Sequence, residues 1–414
     1  MYLNEIKAFK TLNSRNEETI EVFVKTKNNI SSCCSAPSGK SKGKYEVRDF
    51  SVKGIDFSIC FVNVIGKKIV NEKMRFDSFS DLSKIEELIK RYDKTERLEF
   101  IGGNCLYALE GAILRAMAKE NNQELWKFLL EKKKPSLPKP LGNCIGGGLH
   151  VKQERKIDFQ EILFMPKTKS FFDAAFINKN IYSEAKEMLK TFDKDWKGTL
   201  TDENALASTL SDQKVLELVK KIKEKTENRF DIKVVVGIDF AASTFYVAKK
   251  YRYRNFSSVK KETSLTVEEQ LSYVKKLSEE GFTYLEDPFH CDDFESFSKL
   301  LKQVSKDTLV CGDDLTCTNL ERVKKAVKMK AINALIVKPN QIGSLIETKK
   351  VVDFGKKHNL NLVISHRSGE TKDDLIADLS VGWQIPLIKT GIVGKEREAK
   401  INKLIKIEKQ LWKS

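Results

Sequence analysis

The chain has 414 residues, of which 41% are hydrophobic, and its formal net charge is +16 at pH 7. This length suits two domains, or one barrel with an additional domain, and the apolar fraction is sufficient for substantial cores, so a globular protein is expected. No apolar run approaches the roughly 18 residues that a membrane span requires, and residues 1–15 lack the apolar stretch of a signal peptide. We therefore expect a cytoplasmic protein without a membrane partner.

Cysteine spacing and the distribution of charge narrow the functional classes. The close pairs Cys33/Cys34 and Cys311/Cys317 lack the spacing of a zinc or redox site, so we interpret the eight cysteines as reduced and mostly buried. The net charge is compatible with nucleic-acid binding, but the lysines are spread along the chain rather than gathered in a stripe. A small anionic substrate accounts for the charge equally well, and we predict no specific nucleic-acid partner.

The first part of the chain mixes strand and helix patterns. Residues 19–24 are typical of a strand, residues 37–44 of a loop, and apolar residues recur at helical spacing over 81–92 and 104–120. A segment with three prolines, residues 134–140, then marks a passage between domains. We predict an α+β domain over residues 1–134 and a second domain over residues 135–414.

From about residue 231 onward, short apolar runs alternate with charged stretches of helical character. Each run ends at or next to a polar side chain, in the order Asp239, Glu286, Asp313, Lys338, His366 and Lys389. From Glu286 onward these ends lie roughly 25 residues apart, the length of one strand plus one helix, which predicts a parallel α/β layout. Because ligands gather at the carboxyl ends of parallel strands, these side chains predict an active-site rim.

The three acids of this rim are candidate metal ligands. Asp239, Glu286 and Asp313 would meet around one point and repel each other unless a hard divalent cation joins them, and oxygen ligands favour Mg²⁺. An ion network of the acids with Lys338 and Lys389 is an alternative that the spacing leaves open. A buried lysine next to a cation is expected to have a lowered pKa and to act as a base, while the metal stabilises charge formed alpha to a carboxylate.

Five motifs, together with their order, are specific to one family. They are LEDPF (285–289), GDDLT (312–316), KPNQIG (338–343), SHRSGET (365–371) and IKTG (388–391). In them the chain resembles the enolase family, and residues 12–15 and 36–43 are similar more loosely. The resemblance implies a C-terminal TIM-like β/α barrel with a smaller N-terminal α+β domain. It also implies the reversible dehydration of 2-phosphoglycerate to phosphoenolpyruvate, a reaction of glycolysis and gluconeogenesis, with Mg²⁺ as cofactor.

The resemblance assigns a role to each site residue. Lys338 matches the base that takes the proton from carbon 2, and Glu203 matches the acid that assists loss of the carbon 3 hydroxyl, with Glu161 cooperating. Asp239, Glu286 and Asp313 match the ligands of the first metal, and Ser41 helps to hold a second. The remaining substrate-binding residues are His150, Gln160, His366, Arg367, Ser368 and Lys389, among which Arg367 and Ser368 match the phosphate-binding pair.

The closing loops depart from the family pattern. A Gly-Asp-Glu-Gly-Gly loop becomes TDENA (201–205), and Lys40 and Lys42 replace small or hydroxyl residues, where their charge opposes a second metal unless they meet solvent or the phosphate. Two alternatives to enolase activity follow, namely a superfamily paralogue that acts on a different carboxylate and a non-catalytic binding protein. Similarity also predicts a homo-oligomer, with Glu21 and Lys406 placed for an intersubunit pair.

Overall fold

The computed structural model describes residues 1–40, 43–130 and 134–412. Ser41, a predicted metal ligand, and Lys42 lie outside the described residues. Among the described helices, none is both long enough and apolar enough to span a bilayer.

The N-terminal part is an antiparallel sheet covered by helices. Its elements are β1 (Leu3–Leu12), β2 (Glu18–Thr26), β3 (Ser31–Ser35), α1 (Ile55–Asn71), α2 (Ser83–Lys90), α3 (Gly103–Glu120) and α4 (Leu125–Leu129). Alternate residues of β2, namely Ile20, Val22 and Val24, are fully buried because successive side chains of a strand point to opposite faces. The predicted strand over 19–24 and helices over 81–92 and 104–120 are confirmed as β2, α2 and α3.

Eight of the described strands close into a barrel, which confirms the TIM-like fold class. The barrel strands are β4 (Lys139–Gly146), β5 (Glu161–Pro166), β6 (Val234–Asp239), β10 (Phe282–Glu286), β11 (Leu309–Gly312), β12 (Ala334–Val337), β13 (Asn361–Ser365) and β14 (Leu387–Lys389). A separate small sheet consists of β7 (Tyr246–Val247), β8 (Lys250–Tyr253) and β9 (Thr263–Leu265).

The helices of this part surround the barrel. They are α5 (Phe171–Phe192), α6 (Asp212–Phe230), α7 (Val267–Glu279), α8 (Phe294–Gln303), α9 (Leu320–Lys328), α10 (Leu345–Lys357), α11 (Leu375–Gly382) and α12 (Lys395–Trp412). Along β12, Ala334 and Ile336 belong to the core inside the barrel, whereas Leu335 and Val337 belong to the core beneath the helices. The apolar run is therefore buried on both faces, as its composition predicts.

Strand direction differs at one place in the barrel. From β6 through β10 to β14 and on to β4 the neighbours pair in parallel, as predicted for the region after residue 231. In contrast, β5 pairs antiparallel with both β4 and β6. In the β5–β6 register, Glu161 lies opposite Asp239, so the first residue of β5, rather than its last, reaches the mouth of the barrel.

Candidate active site

The six polar strand ends lie at one mouth of the barrel. Three of them close their strands, namely Asp239 on β6, Glu286 on β10 and Lys389 on β14. Asp313, Lys338 and His366 directly follow β11, β12 and β13. Parallel strands place these ends on one side of the barrel, and Glu161 joins them from the antiparallel β5. Glu161, Asp239, Glu286, Asp313, Lys338 and Lys389 are called the strand-end cluster below.

Lys389 is the centre of this cluster. Its Nζ lies 3.0 Å from Asp239 Oδ2, 2.9 Å from Glu286 Oε1 and 3.1 Å from Glu161 Oε2. Burial lowers the pKa of Lys389, but Asp239 and the other acids raise it, so that the net pKa lies well above the usual range. The ammonium is therefore a fixed positive charge, suited to holding an anionic group rather than to exchanging a proton.

Lys338 also contacts an acid of the cluster. Its Nζ donates a hydrogen bond to Asp313 Oδ2. Burial lowers the pKa of Lys338, yet the carboxylate of Asp313 more than reverses this effect, and the net pKa is raised. This raised pKa reflects the hydrogen bond that the ammonium donates to Asp313, whereas the expected lowering concerns a lysine beside a bound cation and stays a prediction. The ion network that sequence spacing left open is thus formed by both lysines.

Neighbouring side chains orient the three candidate metal ligands. The hydroxyl of Tyr284 donates to Glu286 at 2.7 Å, Gln341 Nε2 donates to Asp313 at 3.1 Å, and Gln160 Nε2 donates to Asp239 at 3.3 Å. Sequence analysis did not single out Tyr284 or Gln341. Tyr284 precedes Glu286 by two residues on the same strand and so shares its face, which is a signal that the sequence did contain.

The cluster carries more acids than its two lysines neutralise. Burial, followed by the charge of Asp239, raises the pKa of Glu286 to about 8. Burial and the charge of Asp313 likewise raise the pKa of Asp314 to about 7. The carboxylates of Asp313 and Asp314 both lie close to that of Asp287. Such mutual repulsion among hard oxygen donors is what a divalent cation relieves, so the residues present fit a metal of that class.

The opposite wall combines two acids with two histidines. Glu203 Oε2 lies 3.3 Å from His366 Nε2 and accepts a hydrogen bond from Asn143 at 3.1 Å, while Glu203 Oε1 lies 3.6 Å from His150 Nδ1. Burial raises the pKa of Glu203, but the two histidines lower it well below its usual range. Burial and the adjacent Glu203 instead raise the pKa of Glu161 well above its usual range. The two shifts are opposite in direction and favour a proton on Glu161 over one on Glu203.

The loop that carries Glu203 keeps a tight turn without glycines. Asn204 takes a left-handed backbone conformation, with φ of 64°, which asparagine tolerates better than most residues. The hydroxyl of Thr201 accepts hydrogen bonds from the amides of Glu203 and Ala205, both at 3.1 Å. These two contacts fix the turn locally, so the loss of the glycines does not displace Glu203 from the cavity.

Arg367 and Ser368 form the third side of the cavity. Arg367 Nη2 contacts Glu46 Oε2 at 2.8 Å, and the hydroxyl of Ser368 accepts from Arg15 Nη1 at 2.6 Å and from the amide of Lys40 at 2.9 Å. A Cβ at Gly39 would lie 1.8 Å from Arg367 Nη2, so only glycine lets the loop approach the guanidinium. Sequence analysis did not single out Glu46, because it lies 321 positions from its partner.

One further ion pair crosses the mouth of the cavity. Lys40 Nζ lies 3.4 Å from Asp202 Oδ2, and Asp202 is the neighbour of Glu203. The pair joins a loop of the N-terminal part to a loop of the barrel. One of the two added lysines of this loop therefore meets a carboxylate, an arrangement that the sequence had not suggested.

Nine of the predicted site residues line one cavity, namely His150, Gln160, Glu161, Glu203, Lys338, His366, Arg367, Ser368 and Lys389. The three predicted metal ligands lie against it through the two lysines. The predicted site residues that the structure describes thus lie at one barrel mouth, although the acids close enough to share one ion there include Asp287, Asp313 and Asp314 rather than the predicted trio of Asp239, Glu286 and Asp313. The combination of buried cations, two neighbouring carboxyl groups and clustered acids suits proton transfer to and from a small phosphorylated carboxylate.

Comparison with known proteins gives the same family over both parts of the chain. Residues 3–129 match the family model of the enolase N-terminal domain, and residues 134–414 match that of the enolase C-terminal TIM barrel domain. The enolase of Methanothermobacter thermautotrophicus is 37% identical over 413 residues, covering 99% of this chain and 97% of its own length. The enolase of Methanosphaera stadtmanae is 36% identical, with coverage of 99% and 97%. The chain belongs to the enolase family.

Proposed function

We propose that this protein catalyses the reversible dehydration of 2-phosphoglycerate to phosphoenolpyruvate in glycolysis and gluconeogenesis. It is a hydro-lyase, phosphopyruvate hydratase. The observation that carries the proposal is the strand-end cluster, in which Lys338 and Lys389 share one buried cavity with clustered acids and with Arg367. A protein that only bound a ligand would have no physical reason to concentrate so many buried charges at one barrel mouth.

The base side of the reaction falls to Lys338. Its amine takes the proton from carbon 2 of the substrate, and Lys389 holds the substrate carboxylate with its fixed positive charge. A divalent cation, which we propose is Mg²⁺, would be held by Asp239, Glu286 and Asp313 and would supply positive charge to stabilise the negative charge that develops in the reaction. By drawing Asp313 away from Lys338 it would also lower the pKa of that lysine toward the range of a base. Gln341, through its bond to Asp313, keeps that carboxylate in place.

The acid side falls to the carboxyl pair of Glu203 and Glu161. The raised pKa of Glu161 and the lowered pKa of Glu203 leave one proton between them, available to the departing carbon 3 hydroxyl. In this proposal Glu161 supplies the proton and Glu203 passes it on to the hydroxyl, and His150 and His366 stabilise the Glu203 carboxylate before and after the transfer. Gln160 keeps the adjacent Asp239 oriented.

The phosphate end of the substrate meets Arg367 and Ser368. The planar guanidinium can bind two phosphate oxygens at once, and the hydroxyl of Ser368 adds a hydrogen bond. Arg367 is positioned for this task by Glu46 and by Asn340, whose side chain accepts from Arg367 Nη1 at 3.0 Å. Arg15 donates to Ser368 and adds positive charge on the same side.

The direct test is turnover of 2-phosphoglycerate by the purified protein, followed by the absorbance of phosphoenolpyruvate with Mg²⁺ present. We expect turnover that is lost on chelation and restored by Mg²⁺, with Lys328→Ala as a control for an exposed lysine of the barrel. A folded protein that leaves 2-phosphoglycerate unchanged contradicts the proposal. In that case a panel of other phosphorylated 2-hydroxy acids tests the paralogue alternative.

Three further assignments are proposals with indirect support. A cytoplasmic location agrees with the eight cysteines, all within the described residues and all free. A homo-oligomer is proposed from similarity, and Lys406, its predicted contact, lies 3.5 Å from Glu124 within the same chain. The domain boundary is proposed at residues 134/135, ahead of the first barrel strand, which begins at Lys139. Light scattering, which measures the mass of the protein in solution, tests the proposed homo-oligomer.

A further inference from the structure

A second cavity, of about 730 Å³, lies beside the catalytic cavity. Its volume falls within the range typical of small-molecule sites. One wall is the outer face of the small sheet β7–β9, and the other is the segment from Gly148 to Asp158 that leads out of β4. The cavity between them is called the sheet groove below.

Four basic side chains line the sheet groove. Lys250 and Arg252 lie on the exposed face of β8, Arg254 follows that strand, and Lys156 projects from the opposite segment. Tyr251 and Tyr253 alternate with them and are buried, which fixes the outward direction of the basic residues. The small sheet therefore fixes the direction in which Lys250 and Arg252 leave the backbone.

The lining of the groove carries two acids, Asp158 and Glu262, against four cations. The carboxylate of Asp158 accepts hydrogen bonds from the backbone amides of Arg254 and Asn255, at 2.8 to 3.0 Å. Glu262, the other acid in the lining, lies on the exposed rim. Across the residues that the structure describes, neither Arg252 nor Arg254 has a carboxylate partner for its guanidinium group.

Positive potential also reaches Lys156. Burial lowers its pKa, the charges of Lys40 and Arg254 lower it further, and the charge of Asp158 partly offsets these effects. Lys40 belongs to the mouth of the catalytic cavity, so positive charge at that mouth also acts on Lys156 in the sheet groove.

We propose that the sheet groove binds an anion that carries a chain of two or three phosphate groups. Alternate residues of a strand lie about 6.7 Å apart on one face, so Lys250 and Arg252 on β8 present two neighbouring cations, and Arg254, directly after the strand, adds a third. A single orthophosphate contacts only part of this row, whereas a phosphate chain meets several of the cations at once. Phe245 and Leu149, which also line the groove, offer apolar surface to a nucleoside attached to that chain.

The groove and the catalytic cavity share one wall. Leu149 and Asp158 line the groove, while His150 and Gln160, their near neighbours in sequence, line the catalytic cavity. A polyanion in the groove places negative charge next to the mouth that admits an anionic substrate. Occupancy of the groove therefore raises the KM for 2-phosphoglycerate. This effect on KM rests on the proposed function, whereas binding of the polyanion is independent of it.

Calorimetric titration without added metal tests the binding, with tripolyphosphate, ATP and orthophosphate as probes. We expect tripolyphosphate and ATP to bind the natural protein, and Arg252→Gln/Arg254→Gln to weaken binding roughly tenfold or more. Lys67→Gln/Arg91→Gln, which removes two exposed charges from the N-terminal part, is the matched control and should bind normally. Thermal melting checks that both variants are folded.

The relative affinities of the three probes show whether the phosphate chain or the nucleoside determines binding. Equal binding of tripolyphosphate and ATP identifies the phosphate chain as the determinant, and tighter binding of ATP adds a nucleoside contact; both support the proposal. Absence of binding at millimolar concentration, equal loss in both double variants, or orthophosphate binding as tightly as tripolyphosphate overturns it. Unchanged binding by Arg252→Gln/Arg254→Gln would place the binding site outside the sheet groove, and this result also overturns the proposal.

Kinetics then test the shared wall. With free Mg²⁺ held constant, because polyphosphates chelate it, saturating tripolyphosphate should raise the KM of the natural protein roughly fivefold and leave Arg252→Gln/Arg254→Gln unaffected. A KM that does not change, in a protein that binds tripolyphosphate, overturns the coupling. Lack of turnover in every variant would instead contradict the proposed function and leave the calorimetric result standing.

Discussion

Two regions of the catalytic cavity are held in place by different kinds of contact. The strand-end cluster sits on barrel strands whose backbone is fixed by neighbours on both sides, and the side chains of Lys389 and Asp239 are each only 3% exposed. The region above it, here called the loop wall, consists of Lys40, His150, Asp202 and Glu203. There the side chain of Lys40 is 33% exposed, and its partner Asp202 is 12% exposed.

The difference concerns energetics as well as geometry. Removing one partner from a buried charged pair leaves the other charge without compensation, which is costly, whereas an exposed ion pair contributes little. We therefore expect substitutions in the strand-end cluster to affect the chemical step strongly and those in the loop wall to have graded effects. The predictions below run from the largest expected effect to the smallest.

The largest effect is expected from Lys338→Ala. Without the base, exchange of the carbon 2 proton of 2-phosphoglycerate in heavy water should fall roughly 10³- to 10⁴-fold, because no other group replaces a positioned proton acceptor. Proton NMR measures this exchange directly, and substrate binding should largely remain. Lys328→Ala on α9 is the matched control and should exchange normally. Ordinary exchange in Lys338→Ala would remove Lys338 from its role as base.

Glu203→Gln separates the two halves of the reaction. Loss of the acid should slow dehydration roughly 10²- to 10³-fold while proton exchange at carbon 2 continues, because Lys338 is untouched. Measuring exchange and phosphoenolpyruvate formation on the same sample distinguishes the steps, with the exposed Glu154→Gln as control. If both steps survive, the acid lies elsewhere and Glu161→Gln becomes the next test. If both stop, the loop wall supports the base as well.

Tyr284→Phe tests how the strand-end cluster is oriented. Removing the hydroxyl that donates to Glu286 should weaken Mg²⁺ binding roughly tenfold, while activity at saturating Mg²⁺ remains close to that of the natural protein. Tyr273→Phe is a matched control, because that buried hydroxyl has no hydrogen-bond partner among the described residues. Calorimetric titration with Mg²⁺ provides the measurement. Equal affinity in the two variants would show that Tyr284 does not support the metal ligand.

The sequence predicted the strand-end cluster better than the loop wall for a physical reason. A parallel strand delivers its last side chain to the barrel mouth, so Asp239, Glu286 and Lys389 could be located by counting apolar runs. The same rule cannot locate Glu161, which begins an antiparallel strand. Its assignment came from family resemblance, and the strand direction that explains it became visible only in the pairing of β5.

Contacts between residues far apart in the chain could not be predicted from the sequence. Glu46 supports Arg367 across the junction of the N-terminal part and the barrel, and no periodicity links the two positions. The loss of the family's loop glycines in TDENA (201–205) left open how the backbone turns near Glu203. The structure shows that Asn204 adopts the left-handed conformation and that the Thr201 hydroxyl accepts hydrogen bonds from two amides of the turn. These two features take the place of the glycines in forming the turn.

The smallest effect is expected where the loop wall is most exposed, at the ion pair of Lys40 and Asp202. A single ion pair of this exposure is worth up to about 1 kcal/mol, so Lys40→Met or Asp202→Asn should raise the KM for 2-phosphoglycerate by roughly fivefold at most. The double variant should be no worse than Asp202→Asn alone, since both changes remove the same ion pair and Asp202→Asn also removes the carboxylate charge that lies 3.6 Å from His150 Nδ1. Steady-state kinetics of the four proteins at constant ionic strength measure this coupling. Additive effects would mean that the two side chains act separately, and that the mouth is not closed by their contact.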